Sequence, residues 1–400
     1  MPVISAPQQL ASLRQSIRNA REHGDWAASR AYALQLRDFL NGSPRSLLEL
    51  ARADLMSGRT DEARTEAQHI LDMGEAEDAL LKEPFDSLHI PEVAVTANRK
   101  AIGQATIALE LPDAGLLPED IDYDAVSKRF FVTSILEKKI VAFALDGKAR
   151  SAFAVAPDGW PMAALKLDTQ RRRLWATEAA FDGFTTVKQS DWRRSAVLCF
   201  DLDSGKLLSR IEGTGALADM VLTRDGAPIV SDGEGGGVYR VTDNKTLERI
   251  DLGDFVSPQT PALTSDGRSL FVPDYLRGIG VMDLSSRRVH WFSMDNRFIL
   301  NGIDGLYAYG DTLLAVQNGS SPERVVWFRL DTSHGRIVSQ GVIESATSTM
   351  GDPTHGVIVG SDFYYIANSG WDTLNDNGER KPGAKVTPAR IMRFPLHSLN

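Results

Sequence analysis

Acidic residues and one histidine stand at equivalent points along the second part of this 400-residue sequence. Each point opens a short apolar segment typical of a β-strand, and these segments follow one another mostly about 40–55 residues apart. The six openings read Glu119-Asp120, Ala163-Ala164, Ala218-Asp219, Thr260-Pro261, Asp304-Gly305 and His355-Gly356. Carboxylates that meet at one place repel each other, and a hard cation bound through oxygen relieves that repulsion. The pattern therefore indicates a cation site, or else side chains that face only water.

The unit that carries these residues predicts a mainly β protein. It is clearest at 118–146, PEDIDYDAVSKRFFVTSILEKKIVAFALD, where apolar and polar residues alternate and turn residues separate the strands. About six copies run to the C-terminus at the spacing of four-stranded blades. One small sheet cannot bury both faces, whereas six arranged radially can. We predict a six-bladed β-propeller over 118–400, with the first strand of each blade lining a central channel.

Residues 1–82 have helical periodicity instead. Leu10, Leu13 and Ile17 fall on one helix face. Gly24 and Gly58 lie about 34 residues apart at the same place between two helices, a period that resembles tetratricopeptide repeats. Only about two repeats are present, fewer than the three usually needed for independent stability, so we expect them to dock on the propeller. The region is interpreted as a bracing or dimerising module in preference to a peptide-binding groove for a protein partner.

Residues 83–117 are expected to link the two parts. EVAVTANR at 92–99 and ATIALEL at 105–111 are both interpreted as strands. A closed propeller often takes one strand of its last blade from the other end of the chain. We therefore predict that 105–111 forms the outer strand of blade six and closes the ring.

Two loops that join second to third strands are longer than the others, at 178–196 and 368–389. Long loops at one end of a scaffold usually build a site or a lid. Aromatic rings beside polar groups suit a small organic ligand. The residues expected to contact one are Trp160, Asn301, Asn368 and Trp371. The alternative is that the aromatic rings pack locally and pin the loops.

Composition excludes several classes of function. The net charge is −9, and no basic run interleaved with aromatic residues is present, which argues against nucleic acid. No apolar run reaches the roughly 18 residues of a membrane span. The single cysteine, Cys199, allows neither an internal disulfide nor a cysteine metal cluster. The chain opens MPVISAPQQ without a leader pattern, so a periplasmic or secreted location and a cytoplasmic one both stay open.

The segments PEDIDYD and NGIDGL, with the six-unit pattern, resemble the calcium-dependent propeller hydrolases. These are the gluconolactonase/regucalcin-like (senescence marker protein) group, with paraoxonases and strictosidine-synthase-like proteins as relatives. The resemblance covers about residues 90–400. In the family, an acidic pair opening blade one and an Asp opening blade five supply calcium ligands, which Glu119-Asp120 and Asp304 match. The family has asparagines where this chain has Ala218 and Thr260, so Asp219, Asn301 and waters would have to complete the shell, or no calcium binds.

The resemblance implies hydrolysis of small lactones or esters. A Ca²⁺ ion held by Glu119 and Asp304, with Asp219 as a further candidate ligand, would polarise the carbonyl. His355 or Asp120 would activate water as the base. His355 has a second interpretation, as a polar lining residue hydrogen-bonded across the channel. The alternative function is a non-catalytic propeller that binds a ligand or protein partner through its rim or its helical repeats.

Overall fold

The structure is a computed structural model that describes residues 4–399 apart from 112, 147–150, 244, 294–297, 332 and 334. Four α-helices form the N-terminal region, as the sequence predicted. They are α1 (Ala6–Glu22), α2 (Trp26–Phe39), α3 (Pro44–Met56) and α4 (Thr60–Asp72). Gly24 and Gly58, which set the repeat, both have positive φ, at 68° and 75°. Glycine tolerates this left-handed conformation and so ends the first helix of each pair.

The strand predicted over 92–99 is wrong, because Glu92–Ala97 forms a short helix, α5. Pro91 precedes it with a φ of −64°, which suits a helix start, and Glu92 lies in the first turn. Val95 packs into the apolar core of the helical region. In so short a segment, β-branched residues suggested a strand where one buried helical position was enough. Two 3₁₀ helices, Asp78–Leu81 and Phe85–Leu88, precede α5.

Six antiparallel sheets make up the remainder of the described chain, and each is one blade of the propeller. Blade one comprises β3 (Pro118–Asp124), β4 (Arg129–Ser134), β5 (Lys139–Ala144) and β6 (Ser151–Val155), and blade two comprises β7 (Met162–Asp168), β8 (Arg173–Ala179), β9 (Arg194–Asp201) and β10 (Leu207–Thr214). Blade three comprises β11 (Leu217–Leu222), β12 (Pro228–Asp232), β13 (Gly237–Thr242) and β14 (Thr246–Arg249), and blade four comprises β15 (Ala262–Leu263), β16 (Ser269–Asp274), β17 (Gly278–Asp283) and β18 (Val289–Trp291).

The last two blades include strands from the segment before the propeller. Blade five comprises β19 (Ile303–Tyr309), β20 (Thr312–Gln317), β21 (Arg324–Leu330) and β22 (Ile337–Ser345), with β1 (Ile102–Gly103) added at its edge. Blade six comprises β23 (Gly356–Val359), β24 (Asp362–Ile366), β25 (Arg390–Pro395) and, outermost, β2 (Thr106–Glu110). β2 lies within 105–111 and pairs antiparallel with β25. A strand from before the propeller thus pairs with the last strand of the chain and closes the ring in blade six.

The hydrophobic core lies between the blades. Six clusters of buried apolar side chains each join two neighbouring blades, and together they account for all six interfaces of the ring. Between blades six and one, for example, the Phe130 ring packs 5.1 Å from Tyr364 and 5.8 Å from Phe143. A blade therefore buries both faces, which is the physical reason for six copies.

A cavity of about 240 Å³ marks the central channel, and residues of the first strand, or its approach, in every blade line it. The helical region contacts one face of the propeller. Ala6 donates its backbone N–H to the Gly253 carbonyl at 2.9 Å, and Ser321 donates its own to a Glu75 carboxylate oxygen at 2.7 Å. Gly253 follows a fourth strand and Ser321 lies between a second and a third, so both belong to the face where the first strands begin. Within the described residues, no helix has the length and apolar character of a membrane span.

Candidate functional site

Three of the sequence-predicted residues converge at the face of the propeller that the helical region contacts. Carboxylate oxygens of Glu119 and Asp304 and a ring nitrogen of His355 lie within 4.8 Å of one another. Glu119 is the second residue of β3, Asp304 is the second residue of β19, and His355 directly precedes β23. They are 9 %, 8 % and 1 % exposed. Blades one, five and six thus each supply one member of a buried group with two carboxylates.

β-Bulges explain the placement of Glu119 and Asp304. The register of β3 against β4 shifts between Pro118 and Ile121, and that of β19 against β20 shifts between Ile303 and Gly305. Equivalent shifts occur in the first strands of blades two and three. A bulge leaves its extra residue outside the regular pairing and redirects its side chain. The residue at each bulge is Glu, Asp or Ala, and its type decides whether that blade contributes a carboxylate to the site.

Glu119 is held by the long loop of blade six. The Trp371 indole N–H donates to Glu119 Oε2 at 2.5 Å. Burial raises the pKa of Glu119 to about 8, and repulsion from the Asp304 carboxylate adds to the rise. The folded protein therefore holds this proton more tightly than an exposed glutamate does.

Asp304 is held by two residues that the sequence analysis did not select. Asn318 donates its side-chain N–H to Asp304 Oδ2 at 2.9 Å, and the Tyr275 hydroxyl donates to Asn318 Oδ1 at 2.9 Å. Burial raises the pKa of Asp304 to about 6, although the positive charge of His355 opposes this. Both Tyr275 and Asn318 directly follow second strands. An alignment of second-strand ends, like the one made of first-strand starts, would have pointed to them.

His355 makes hydrogen bonds to protein atoms through both ring nitrogens. Nδ1 lies 2.9 Å from the Glu119 backbone oxygen, and Nε2 lies 3.1 Å from Asp219 Oδ1 and 2.8 Å from Thr260 Oγ1. The Thr260 hydroxyl donates to Asp219 Oδ1 at 2.6 Å. A carbonyl oxygen and a carboxylate can only accept, so both ring nitrogens carry protons.

The charge around His355 agrees with that protonation. Burial alone would lower the pKa of His355, but the carboxylates of Asp304, Asp120 and Asp219 together raise it well above its ordinary value. His355 therefore forms a positively charged bridge across the channel that balances the Asp219 carboxylate. This geometry matches the second interpretation of His355, a lining residue that bonds across the channel.

Asp120, the other residue expected to act as a base, has both oxygens in hydrogen bonds to residues of blade two. Oδ2 accepts from the Leu165 backbone N–H at 2.8 Å, and the Lys166 ammonium contacts both oxygens at 2.7 and 2.9 Å. Asp120 is fully buried. Its contacts join blade one to blade two.

The four residues expected to contact a ligand have different surroundings. Trp160 is buried, with the guanidinium carbons of Arg194 and Arg210 at 5.3 and 5.9 Å from its ring centre. Asn368 donates to the Pro388 carbonyl at 3.0 Å and accepts from the Arg390 N–H at 2.7 Å, so it ties its own loop. Trp371 contacts Glu119, as described above. Asn301 Oδ1 is buried and has no hydrogen-bond partner among the described residues.

The two long loops meet over the opening of the channel. The Thr185 backbone N–H donates to the Asn377 carbonyl at 3.0 Å, and the Phe184 ring lies 6.3 Å from the Trp371 ring. Leu117, Ile135 and Trp160 extend the same apolar cluster to blade one and to the start of blade two. The aromatic residues therefore pack locally and hold the loops, while the Trp371 N–H reaches the acidic group.

The propeller is similar in fold to several solved structures. These include an oxidoreductase (glucose dehydrogenase) from Thermus thermophilus, with a TM-score of 0.52 and 16% identity over 72% of this chain and 99% of that one. A gluconolactonase from Xanthomonas campestris has a TM-score of 0.50 and 17% identity over 76% and 93% of the two chains. The PQQ-bound form of an aldose sugar dehydrogenase from Streptomyces coelicolor has a TM-score of 0.50 and 11% identity over 74% and 98%. No protein-family model and no curated protein sequence matches this chain. These likenesses confirm the fold that the sequence predicted, a six-bladed propeller of the kind found in gluconolactonase.

Proposed function

We propose that the channel opening binds a divalent cation, Ca²⁺ in preference to others, and uses it to hydrolyse small lactones or esters. The observation that supports this best is the buried convergence of the Glu119 and Asp304 carboxyl groups. Two carboxyl groups share one buried place, and their pKa values are raised to about 8 and about 6. A cation at this place offsets the cost of ionising both.

The donor atoms available to a cation suit Ca²⁺. Trp371 binds one oxygen of Glu119 and Asn318 binds one oxygen of Asp304, which leaves the other oxygen of each carboxylate free to bind a metal. Asn301, three residues before Asp304 in the chain, has a further hard oxygen, Oδ1, that is buried and without a partner in the described structure. His355 is excluded as a ligand, because a doubly protonated imidazole has no free lone pair. Asp219 contributes negative charge, and His355 balances it.

A bound Ca²⁺ ion would polarise the carbonyl of a lactone or ester. The chain itself would orient and shield that carbonyl, with Trp371 and its loop excluding water from one side of the opening. The proton of the attacking water would have to go to a carboxylate of this group, because the His355 ring nitrogens are both protonated and the Asp120 oxygens are both engaged. This assignment differs from the expectation that His355 or Asp120 serves as the base.

A second candidate function is ligand binding without catalysis. The fold alone does not fix an activity, since it also occurs in the dehydrogenases described above. The observation that favours binding alone is the engagement of both candidate bases in structural contacts.

Titration calorimetry with Ca²⁺ tests the proposal on the wild type, on Glu119→Gln and on Asp304→Asn. We expect saturable binding by the wild type and at least a tenfold loss in either variant. Asp122→Asn is the matched control, because this carboxyl lies in the same strand and lines the channel outside the acidic group. A panel of small lactones and esters is then assayed with and without a chelator. Ca²⁺ binding without hydrolysis would favour the second function. If no Ca²⁺ binds, neither function involves this ion.

A further inference from the structure

Two short loops enclose the segment that delivers Asp304 to the site. The blade-four loop (275–277) joins β16 to β17, and the blade-five loop (318–323) joins β20 to β21. The Gly302 N–H donates to the Tyr275 carbonyl at 2.8 Å, and the Gly319 N–H donates to the Gly302 carbonyl at 3.1 Å. A Cβ added at Gly302 would lie 2.6 Å from the Gly319 backbone, so no larger residue fits between the loops. The backbone two residues before Asp304 is therefore held from both sides.

The same loops orient the Asp304 side chain. Tyr275 belongs to the blade-four loop and Asn318 to the blade-five loop. Because the Tyr275 hydroxyl donates to the Asn318 carbonyl oxygen, the Asn318 amide must present its N–H₂ to Asp304 Oδ2. This fixes which carboxylate oxygen is occupied and which is free.

The helical region holds the blade-four loop from outside the propeller. Leu276 packs against the apolar cluster that α1 and α2 form with Val256. The Arg277 guanidinium lies 4.4 Å from the Phe39 ring centre and 4.1 Å from the Trp291 ring centre, and its Nε donates to the Phe39 carbonyl at 3.0 Å. The blade-four loop thus contacts the helices on one side and the residues that hold Asp304 on the other side.

The helical region also holds the blade-five loop. The Ser321 N–H donates to Glu75 Oε2 at 2.7 Å, and the Ala76 N–H donates to the Ser321 carbonyl at 2.6 Å. Arg324, just past the loop, lies 3.6 Å from the other Glu75 oxygen. These contacts come from the segment that directly follows α4.

We propose that the helical region positions Asp304 for the cation through these two loops, so that residues 4–82 are part of the site and not a separate binding module. The inference rests on the proposed function for the identity of the ion, while the mechanical connection stands on the contacts described above. Partners that orient a metal ligand from behind commonly change metal affinity by about 10- to 100-fold when they are lost. Tyr275 and Asn318 are accordingly positioning residues, and Phe39 and Glu75 act on the site through them.

Calcium calorimetry on full-length variants tests the connection from both ends. Phe39→Ala and Glu75→Ala loosen the contacts on the helical side, and Tyr275→Phe removes the hydroxyl on the site side. We expect each to weaken Ca²⁺ binding by about tenfold. Asp54→Asn is the control, because Asp54 is buried and pairs with Arg30 inside the helical region, away from both loops. It should lower the melting temperature and leave the Ca²⁺ affinity within about twofold of wild type.

A double-mutant cycle separates positioning from general destabilisation. Phe39→Ala in a Tyr275→Phe background should cost much less affinity than it costs in the wild type, because both changes act on one chain of contacts. Fully additive losses, or wild-type affinity in Phe39→Ala and Glu75→Ala, would overturn the proposal.

Hydrogen exchange gives a readout that needs no cation. Phe39→Ala should accelerate exchange of the Gly302 and Gly319 amides, which hold the approach to Asp304, and Asp54→Asn should not. Unchanged rates in Phe39→Ala would overturn the positioning role. Accelerated rates in a protein that binds no Ca²⁺ would support the positioning role and overturn the proposed function instead.

Discussion

Trp371 joins the long loop of blade six to the candidate cation site through one hydrogen bond to Glu119. Trp371→Phe keeps an aromatic ring and removes only the N–H donor. We expect Ca²⁺ affinity in calorimetry to fall by about tenfold, because the Glu119 carboxylate loses the group that orients it. The melting temperature should change little, since the ring still packs against Phe184.

Trp192→Phe is the matched control for that prediction. Trp192 packs in the same apolar cluster, and its indole nitrogen is buried without a hydrogen-bond partner among the described residues. Removing this N–H leaves every described hydrogen bond intact, so the Ca²⁺ affinity should match the wild type. Equal affinities for Trp371→Phe and Trp192→Phe would show that the bond to Glu119 does not orient the ligand.

His355 is predicted to matter for folding more than for proton transfer. Its ring bridges blade six to blades one, three and four through Glu119, Asp219 and Thr260. His355→Gln removes a buried positive charge and leaves the Asp219 carboxylate unbalanced. We expect the free energy of unfolding in urea to fall by roughly 3–5 kcal/mol.

The exposed His290 provides the comparison, and His290→Gln should stay within about 0.5 kcal/mol of wild type. If His355→Gln unfolds like the wild type but loses hydrolysis of an identified substrate, His355 is the base after all.

At the scale of elements, the contact between the two long loops can be tested at a glycine. Gly378 lies in the blade-six loop with a φ of 75°, and a Cβ there would lie 2.6 Å from the Phe184 ring in the blade-two loop. Gly378→Ala should therefore push the loops apart and lower the melting temperature. Gly383→Ala is the control, because this residue has a φ of 77° in the same loop and no atom within 4 Å of its added Cβ.

Both substitutions carry the same backbone strain of about 1 kcal/mol, so the difference between them measures the loop contact alone. Equal melting temperatures would mean that the loops separate freely.

The sequence predicted the elements better than their contacts. The period-two alternation indicated six blades, and the alignment of strand starts was enough to group Glu119, Asp304 and His355. The bridge from His355 to Asp219 and Thr260 was not predictable in its detail, because it joins three blades across a distance that only the closed ring defines. Thr260 was noted only as a departure from the asparagine of similar propellers. In the structure it donates to Asp219 and accepts from His355.

The long loops drew attention to Trp371 and Asn368, which have different surroundings in the structure. Trp371 reaches Glu119 because its loop crosses the opening. Asn368 instead ties its own loop, and Trp160, which lies outside both long loops, packs in the apolar cluster that holds them. A sequence shows that a loop carries aromatic and amide groups, but which of them faces the site depends on how the loop folds back.

At the scale of the whole molecule, one contact between the helices and the propeller is made by an acidic residue whose pKa is raised. Glu75 is buried beside Arg324, and its carboxylate accepts the Ser321 N–H. Burial raises the pKa of Glu75 from 4.5 to about 7, even though the Arg324 charge opposes the rise. The folded protein therefore binds this proton more tightly than the unfolded chain does.

This shift predicts how stability depends on pH. The contribution of Glu75 is most favourable below pH 4.5 and is lost as pH rises through about 7, because the folded state must then ionise a buried carboxyl. The loss amounts to roughly 2–3 kcal/mol over that interval. Glu75→Gln, which keeps the shape and cannot ionise, should flatten the fall in unfolding free energy measured in urea between pH 5 and about 7. Glu83→Gln removes an exposed acid nearby and should leave the wild-type slope, so an equally steep slope in Glu75→Gln and Glu83→Gln would place the titrating group elsewhere.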